Sequence, residues 1–259
     1  MKKAITIWVD ESTELIVNDN DHNLMWYLIT NSDREEFDFL NDLKQARKQD
    51  PVCFYSLHGS EIRENDIRKI NLIKKWLELF QKHPNVFFHS FLYKRNDTYI
   101  PLSEGYEKYF AKQAVFALAL KMKNTGMPVQ TMFSDIWTVT ILFDRRRSNI
   151  SIGTENWHRR INDLETVYIQ AIKEQIERNS KRDDIKVRFS FLTSNCFDGM
   201  QFADVMTYLI RNKILRKNNA FSDIFDQYFL SDLDENVQKL WFKKIYQDDK
   251  KFNFFESNR

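Results

Sequence analysis

The chain has 259 residues, of which 42% are hydrophobic and 29% charged, a mix that buries a core and excludes a disordered chain. Only 5 glycines and 4 prolines argue against an all-β fold of many tight turns, and no glycine-rich phosphate loop of the GxGxxG or GxxxxGKS/T kind occurs. Lys and Arg number 39 against 37 Asp and Glu, so a net charge of +2 draws no nucleic acid by itself and any basic surface must be local.

Met1-Lys2-Lys3 is basic, but the apolar stretch after it breaks at Asp10-Glu11. Neither a signal peptide nor a membrane span is expected. In residues 4–10, Ile5, Ile7 and Val9 alternate with Ala4, Thr6 and Trp8, the period of a strand covered on both faces, ending at Asp10. A second strand is expected over 24–30, with Asn18–Asn23 as the turn of an antiparallel pair. Ser32 and Glu35 have the spacing of a helix start, and that helix ends before Pro51. A short strand over 52–57 leads into His58-Gly59-Ser60-Glu61. A helix then runs from Asn65-Asp66 to about Lys82, with Ile67, Ile70, Ile73, Leu77 and Phe80 on one stripe. Residues 86–93 read as a strand and 103–123 as a helix closed by Gly126 and Pro128. Residues 136–143 form a strand that ends at Asp144. An amphipathic helix follows over 155–179, a strand over 185–192 and a helix over 200–214. Residues 219–259 look helical and aromatic. These elements predict an α/β fold, a mixed sheet with helices on both faces. The expected organisation is a domain over 1–218, with an inserted helical segment at about 32–83, and a helical C-terminal extension over 219–259 packed on it.

Three carboxylates fall where such a sheet places a site: Asp10 and Asp144 at strand ends, and Asp204 one turn into the helix after the last strand. Acids gathered this way stay ionised only if a cation neutralises them. Oxygen-only ligands favour Mg²⁺ or Mn²⁺ over zinc, and two such ions serve phosphodiester hydrolysis. The simpler account is that an Asp after a strand caps a helix or makes a turn.

Four segments carry a resemblance: Val9-Asp10-Glu11-Ser12, Leu57-His58-Gly59-Ser60-Glu61, Phe143-Asp144-Arg145, and Ser194 through Gln201-Phe202-Ala203-Asp204-Val205. In order and spacing they resemble the DUF3800 family over about residues 4–214. That family opens on Asp-Glu-Ser-Gly and carries a Gln-Leu-Ala-Asp-Leu helix near its end. Thr13 stands where its glycine follows Ser12, and Phe202 and Val205 replace its leucines. The resemblance implies a ribonuclease H-like fold in which Asp10, Asp144 and Asp204 match the acidic positions. For a fourth acid it leaves Glu61, Glu104 or Glu107, and Glu11 open. Glu11 joins Asp10 only if the chain turns at once, since side chains alternate along a strand. No substrate comes with the resemblance.

His58 has the chemistry to bind metal, orient a phosphate or exchange a proton, or it is a hydrogen-bonded loop histidine. Gln201, three residues before Asp204 on one helix face, either touches substrate, orients Asp204 or makes a packing contact. Arg145-Arg146-Arg147 directly after Asp144 offers a grip on phosphates, or else a solvated charge run. Cys53 and Cys196 lack CxxC spacing, which fits a reducing cytoplasm, and neither Cys196 nor Ser194 has a neighbouring His in sequence. The aromatic tail packs on the core or makes a homodimer contact. The leading expectation is a nuclease-like metal-dependent phosphodiester hydrolase. Its rival is a nucleic-acid- or protein-binding module without turnover, in one version a part of a defence or mobile-element system.

Overall fold

The computed structural model describes residues 3–17, 20–30, 33–49, 57–59, 62–83, 86–94, 134–144, 155–192, 197–214 and 220–229. In chain order they form strands β1 (Lys3–Val17) and β2 (Asn20–Thr30), helices α1 (Asp33–Lys48) and α2 (Ile67–Lys82), then β3 (Val86–Lys94) and β4 (Ile136–Asp144). Helix α3 (Glu155–Ser180), strand β5 (Lys186–Leu192) and helices α4 (Asp198–Ile214) and α5 (Ala220–Phe229) complete the series. Residues 52–56 of the expected strand over 52–57, the helix over 103–123 and the tail from 230 onward lie outside the described residues, as do Ser32, Cys53, Ser194 and Cys196. Leu57 is described and lies in a loop.

The strands make one five-stranded mixed sheet in the order β3-β2-β1-β4-β5. β1 pairs antiparallel with β2, and β2 antiparallel with β3. β1 pairs parallel with β4, and β4 parallel with β5. The parallel strands are apolar on alternate positions, and the register aligns those positions. Ile5, Ile7 and Val9 sit level with Val139, Ile141 and Phe143, and these with Val187, Phe189 and Phe191. Side chains of one register row share a face. That face is covered by α3, whose Tyr168 stacks on Phe189 at a centroid distance of 4.5 Å and whose Ile172 is fully buried.

The opposite face carries Thr6, Trp8 and Asp10. It is covered by α1 and α4, with α2 and α5 behind them. Thr6 donates from Oγ1 to Glu36 of α1 at 2.7 Å. A second core forms here from Phe39 and Leu43 of α1, Trp76, Leu77 and Phe80 of α2, Phe202 and Met206 of α4, and Phe221 and Phe225 of α5. Phe202 is its centre. Phe39 meets it edge-on at 5.4 Å and 84°, and Phe80 lies 5.5 Å away. Each such buried ring contributes about 1.5–3 kcal/mol, and Trp76 keeps its indole N–H satisfied on the Leu43 carbonyl at 3.1 Å. The helices between β2 and β3 therefore build the wall of the site face. No described helix is long and apolar enough to cross a membrane.

One sequence expectation needs correcting. β1 does not stop at Asp10 and the turn does not span Asn18–Asn23, because β1 runs on to Val17 and β2 begins at Asn20. The polar run Glu11-Ser12-Thr13-Glu14 reads as loop, yet its backbone is in a strand opposite β2. Pairing with β2 skips from Ser12↔Leu24 to Leu15↔His22, leaving a bulge at Thr13 and Glu14. A bulge accepts threonine, and among the described residues only Lys181 combines a side chain with a positive φ. Asp10 is nevertheless at an end. Parallel pairing with β4 finishes at Val9↔Phe143, one residue before both Asp10 and Asp144.

Candidate active site

Register alone puts Asp10 and Asp144 side by side on adjacent strands, one step beyond Val9↔Phe143. Neighbouring strands lie about 4.8 Å apart, so two carboxylates in one row feel each other. The third acid comes from above. Gly199 lets α4 approach β1 closely, since a Cβ there would stand 2.9 Å from the Trp8 ring and from Leu40. Along α4, Gln201, Asp204 and Thr207 recur at three-residue spacing and stand one above the other.

Asp10 is buried. Burial holds its carboxyl well above the ordinary carboxylate range, and Asp204 and then Asp144 push it the same way. A hydrogen bond with Thr207 and the nearby His58 oppose this. The Thr207 hydroxyl has one proton, and it also lies 2.9 Å from the Ala203 carbonyl. When that proton goes to Ala203, the Thr207 oxygen is an acceptor, which suits a protonated Asp10. When Asp10 is ionised, the proton is better placed toward the carboxylate.

Asp204 is held from a second direction. The backbone N–H of Gly59 donates to its Oδ2 at 3.0 Å, and His58 Nδ1 lies 3.3 Å from the same oxygen. Only glycine allows this approach, since a Cβ on residue 59 would lie 2.4 Å from Cβ of Tyr208 and 3.1 Å from the Asp204 carbonyl oxygen. Gln201 is fully buried, so it has no surface to offer a substrate. Its Oε1 accepts from the Leu57 N–H at 3.0 Å and from Arg47 Nη1 at 3.1 Å. Of the alternatives its spacing left open, these contacts are those of a packing role, in which Gln201 holds the 57–59 loop against α4. Arg47 also pairs with Asp198 at 2.7 Å. Burial raises the Asp198 carboxyl, with Arg47 and then Lys44 pulling it back.

Asp144, Asp204 and His58 are thus within electrostatic reach of Asp10. Among the described residues, however, no group of three or more His, Cys, Asp or Glu side chains is gathered in a geometry that holds a metal ion. The donor set still fits a hard cation, being three carboxylates with one buried. Glu11 lies in β1 opposite Met25. Glu61, Glu104, Glu107 and Arg145, Arg146 and Arg147 lie outside the described residues.

No family model matches the chain, and no curated protein is similar to it. Seventeen solved chains match at a distance, among them two ribonucleases. The ribonuclease H2 from Pyrococcus horikoshii OT3 matches 96% of this chain and 90% of its own, at 9% identity and a TM-score of 0.42. The ribonuclease HII in the PCNA:RNase HII complex from Archaeoglobus fulgidus matches 95% and 89%, at 9% identity and a TM-score of 0.37. Likeness this distant says nothing of activity.

Thr207, Arg47 and Asp198 escaped the sequence reading. Each acts on a group in another element, and neither a motif nor a period marks such a pairing. Thr207 alone left a trace, continuing the Gln201–Asp204 spacing by one more step.

Proposed function

We propose that the chain is a metal-dependent phosphodiesterase of nucleic acid, with a ribonuclease H-like fold and membership of the DUF3800 family. The observation that supports it best is the buried Asp10, flanked by Asp144 from the neighbouring strand and Asp204 from the covering helix. Burying an acid among acids is costly unless the site receives positive charge. In this reading Asp10, Asp144 and Asp204 hold Mg²⁺ or Mn²⁺, which when bound supplies an activated water and stabilises the leaving oxygen. Thr207 orients Asp10. Gly59 and His58 occupy Oδ2 of Asp204 and so fix which way its carboxylate points. His58, only partly buried and 3.3 Å from Asp204, is placed to exchange a proton in this reading. Arg145, Arg146 and Arg147 follow Asp144 directly and take the phosphate backbone, since each guanidinium pairs with phosphate in a fork at any relevant pH. Glu61 and Glu11 stay candidates for a fourth acid.

The rival reading is a binding module that keeps the fold without turnover. Cleavage of RNA, DNA and hybrid duplexes in Mg²⁺ or Mn²⁺, compared with Asp144→Asn, separates the two. Cleavage by the wild type and a loss of at least about 10²-fold in the variant are expected. Binding without cleavage of any substrate in either metal overturns the enzymatic reading.

A further inference from the structure

The loop Leu57-His58-Gly59 is laid along α4 and tied to it at two points. One tie is Gly59 N–H and His58 on Asp204, within the site. The other lies one turn earlier on α4: the Leu57 N–H on Gln201 Oε1. A side-chain amide can present either its oxygen or its nitrogen to a neighbour, and only the oxygen accepts. At Gln201 two donors converge on the oxygen, the Leu57 N–H and Arg47 Nη1. Arg47 is itself anchored by Asp198 at the start of the same helix. Its guanidinium meets the Gln201 amide through a hydrogen bond and the Asp198 carboxylate as an ion pair, which a lysine ammonium on a flexible stem does not do in fixed geometry. The whole strut is largely shielded, with Gln201 fully buried and the Arg47 and Asp198 side chains 21% and 12% exposed.

The geometry points to Arg47 as a positioning residue: by fixing the Gln201 amide it holds the 57–59 loop so that Gly59 and His58 meet Asp204. The inference rests on the phosphodiesterase reading for its consequence, but the strut itself does not. Without Arg47 one of the two donors that set the amide is gone. Leu57 then loses a committed acceptor, and Gly59 and His58 lose the register that aims them at Oδ2. Asp204 is left free to turn, and a cation meets a less organised ligand. Arg47 belongs to α1, so the helices between β2 and β3 govern the site as well as walling it.

The test uses the full chain without metal, then with Mn²⁺ alone. In EDTA, hydrogen exchange at the Leu57 and Gly59 amides is followed by NMR in the wild type, Arg47→Met and Arg47→Lys. In both variants the two amides should exchange on the order of tenfold faster, while Val139 and Ile141 in the sheet keep their protection. The Gly59 amide resonance should also move, which a uniform loss of stability does not cause. Calorimetry should then show Mn²⁺ binding several-fold weaker in both variants. Should Arg47→Met fail to fold, Arg47→Lys carries the test by itself, since it retains charge and length. Unchanged Leu57 and Gly59 exchange in a folded variant overturns the strut. So does a loss of protection spread equally over the sheet. A wild type that binds no Mn²⁺ sinks the phosphodiesterase reading while the exchange data still judge Arg47.

Discussion

Asp10 concentrates the opposing forces of the site in one side chain. Its carboxyl is raised by burial, then by Asp204 and Asp144, so the folded protein keeps a proton that the unfolded chain has released. The native state thus binds more protons than the unfolded state at pH values above the ordinary 3.8, up to the raised value. Stability therefore falls as pH rises through that window, and the deficit persists above it. Asp10→Asn removes the ionisable group. In EDTA it should melt a few degrees higher than the wild type at neutral pH, the gap closing as the pH falls toward 4. Thermal scans across pH check this, and a wild type that gains stability with rising pH relative to the variant contradicts it. Gly59 shows a steric limit of the same site. Gly59→Ala places a methyl 2.4 Å from Cβ of Tyr208, where backbone must yield. A loss of about 1–3 kcal/mol by urea unfolding, together with loss of cleavage, is expected. The three acids were legible because they follow apolar strands or sit on a patterned helix. Arg47 and Asp198 were not, because a salt bridge between α1 and α4 leaves no mark on either segment.

The elements whose boundaries the sequence anticipated well are those with a strong period. α2 begins after Asp66, whose side chain accepts from Lys69 N, and β4 ends at Asp144. β1 was misjudged for an identifiable reason. Polar side chains at Glu11–Glu14 argue for a loop, but in a hairpin the partner strand satisfies the backbone whatever the side chains are. α3 ends on an unfavourable residue. Lys181 adopts φ 56°, with its N–H on the Glu177 carbonyl at 2.8 Å, the left-handed termination that glycine makes without steric cost. Next to it, Arg182 forks onto Asp184 and reaches the carbonyls of Ser134 and Ile136, tying the turn to the start of β4. Lys181→Gly keeps that tie and relieves the strain. A gain of about 1 kcal/mol is expected from chemical denaturation, and a destabilised variant would show that the lysine side chain contributes more than its backbone costs.

At the scale of the whole molecule, the sheet has two kinds of neighbour. β1 and β2 are joined by a hairpin and pair locally. β1 and β4 pair in parallel between residues 133 or 134 apart in sequence, with β2, α1, α2 and β3 among the described elements between them. Closing a long loop costs entropy before its contacts repay it, so the local hairpin is expected early and the β1–β4 junction late. Asp10 and Asp144 stand at the end of that junction. Where that junction closes on the late side of the rate-limiting barrier, the repulsion between the two acids, and the remedy a cation would offer, act there as well. A ligand that acts on the late side of a barrier changes how long the native state lasts and leaves the speed of its formation alone. Stopped-flow folding in urea should accordingly show Mn²⁺ lowering the unfolding arm of the chevron with the refolding arm unmoved, and Asp144→Asn insensitive on both. A refolding arm accelerated by Mn²⁺ would place the junction in the nucleus instead. On the proposed metal-binding reading, the ion would serve as a clock on the native state, so that escape from proteolysis would follow the supply of free divalent ion.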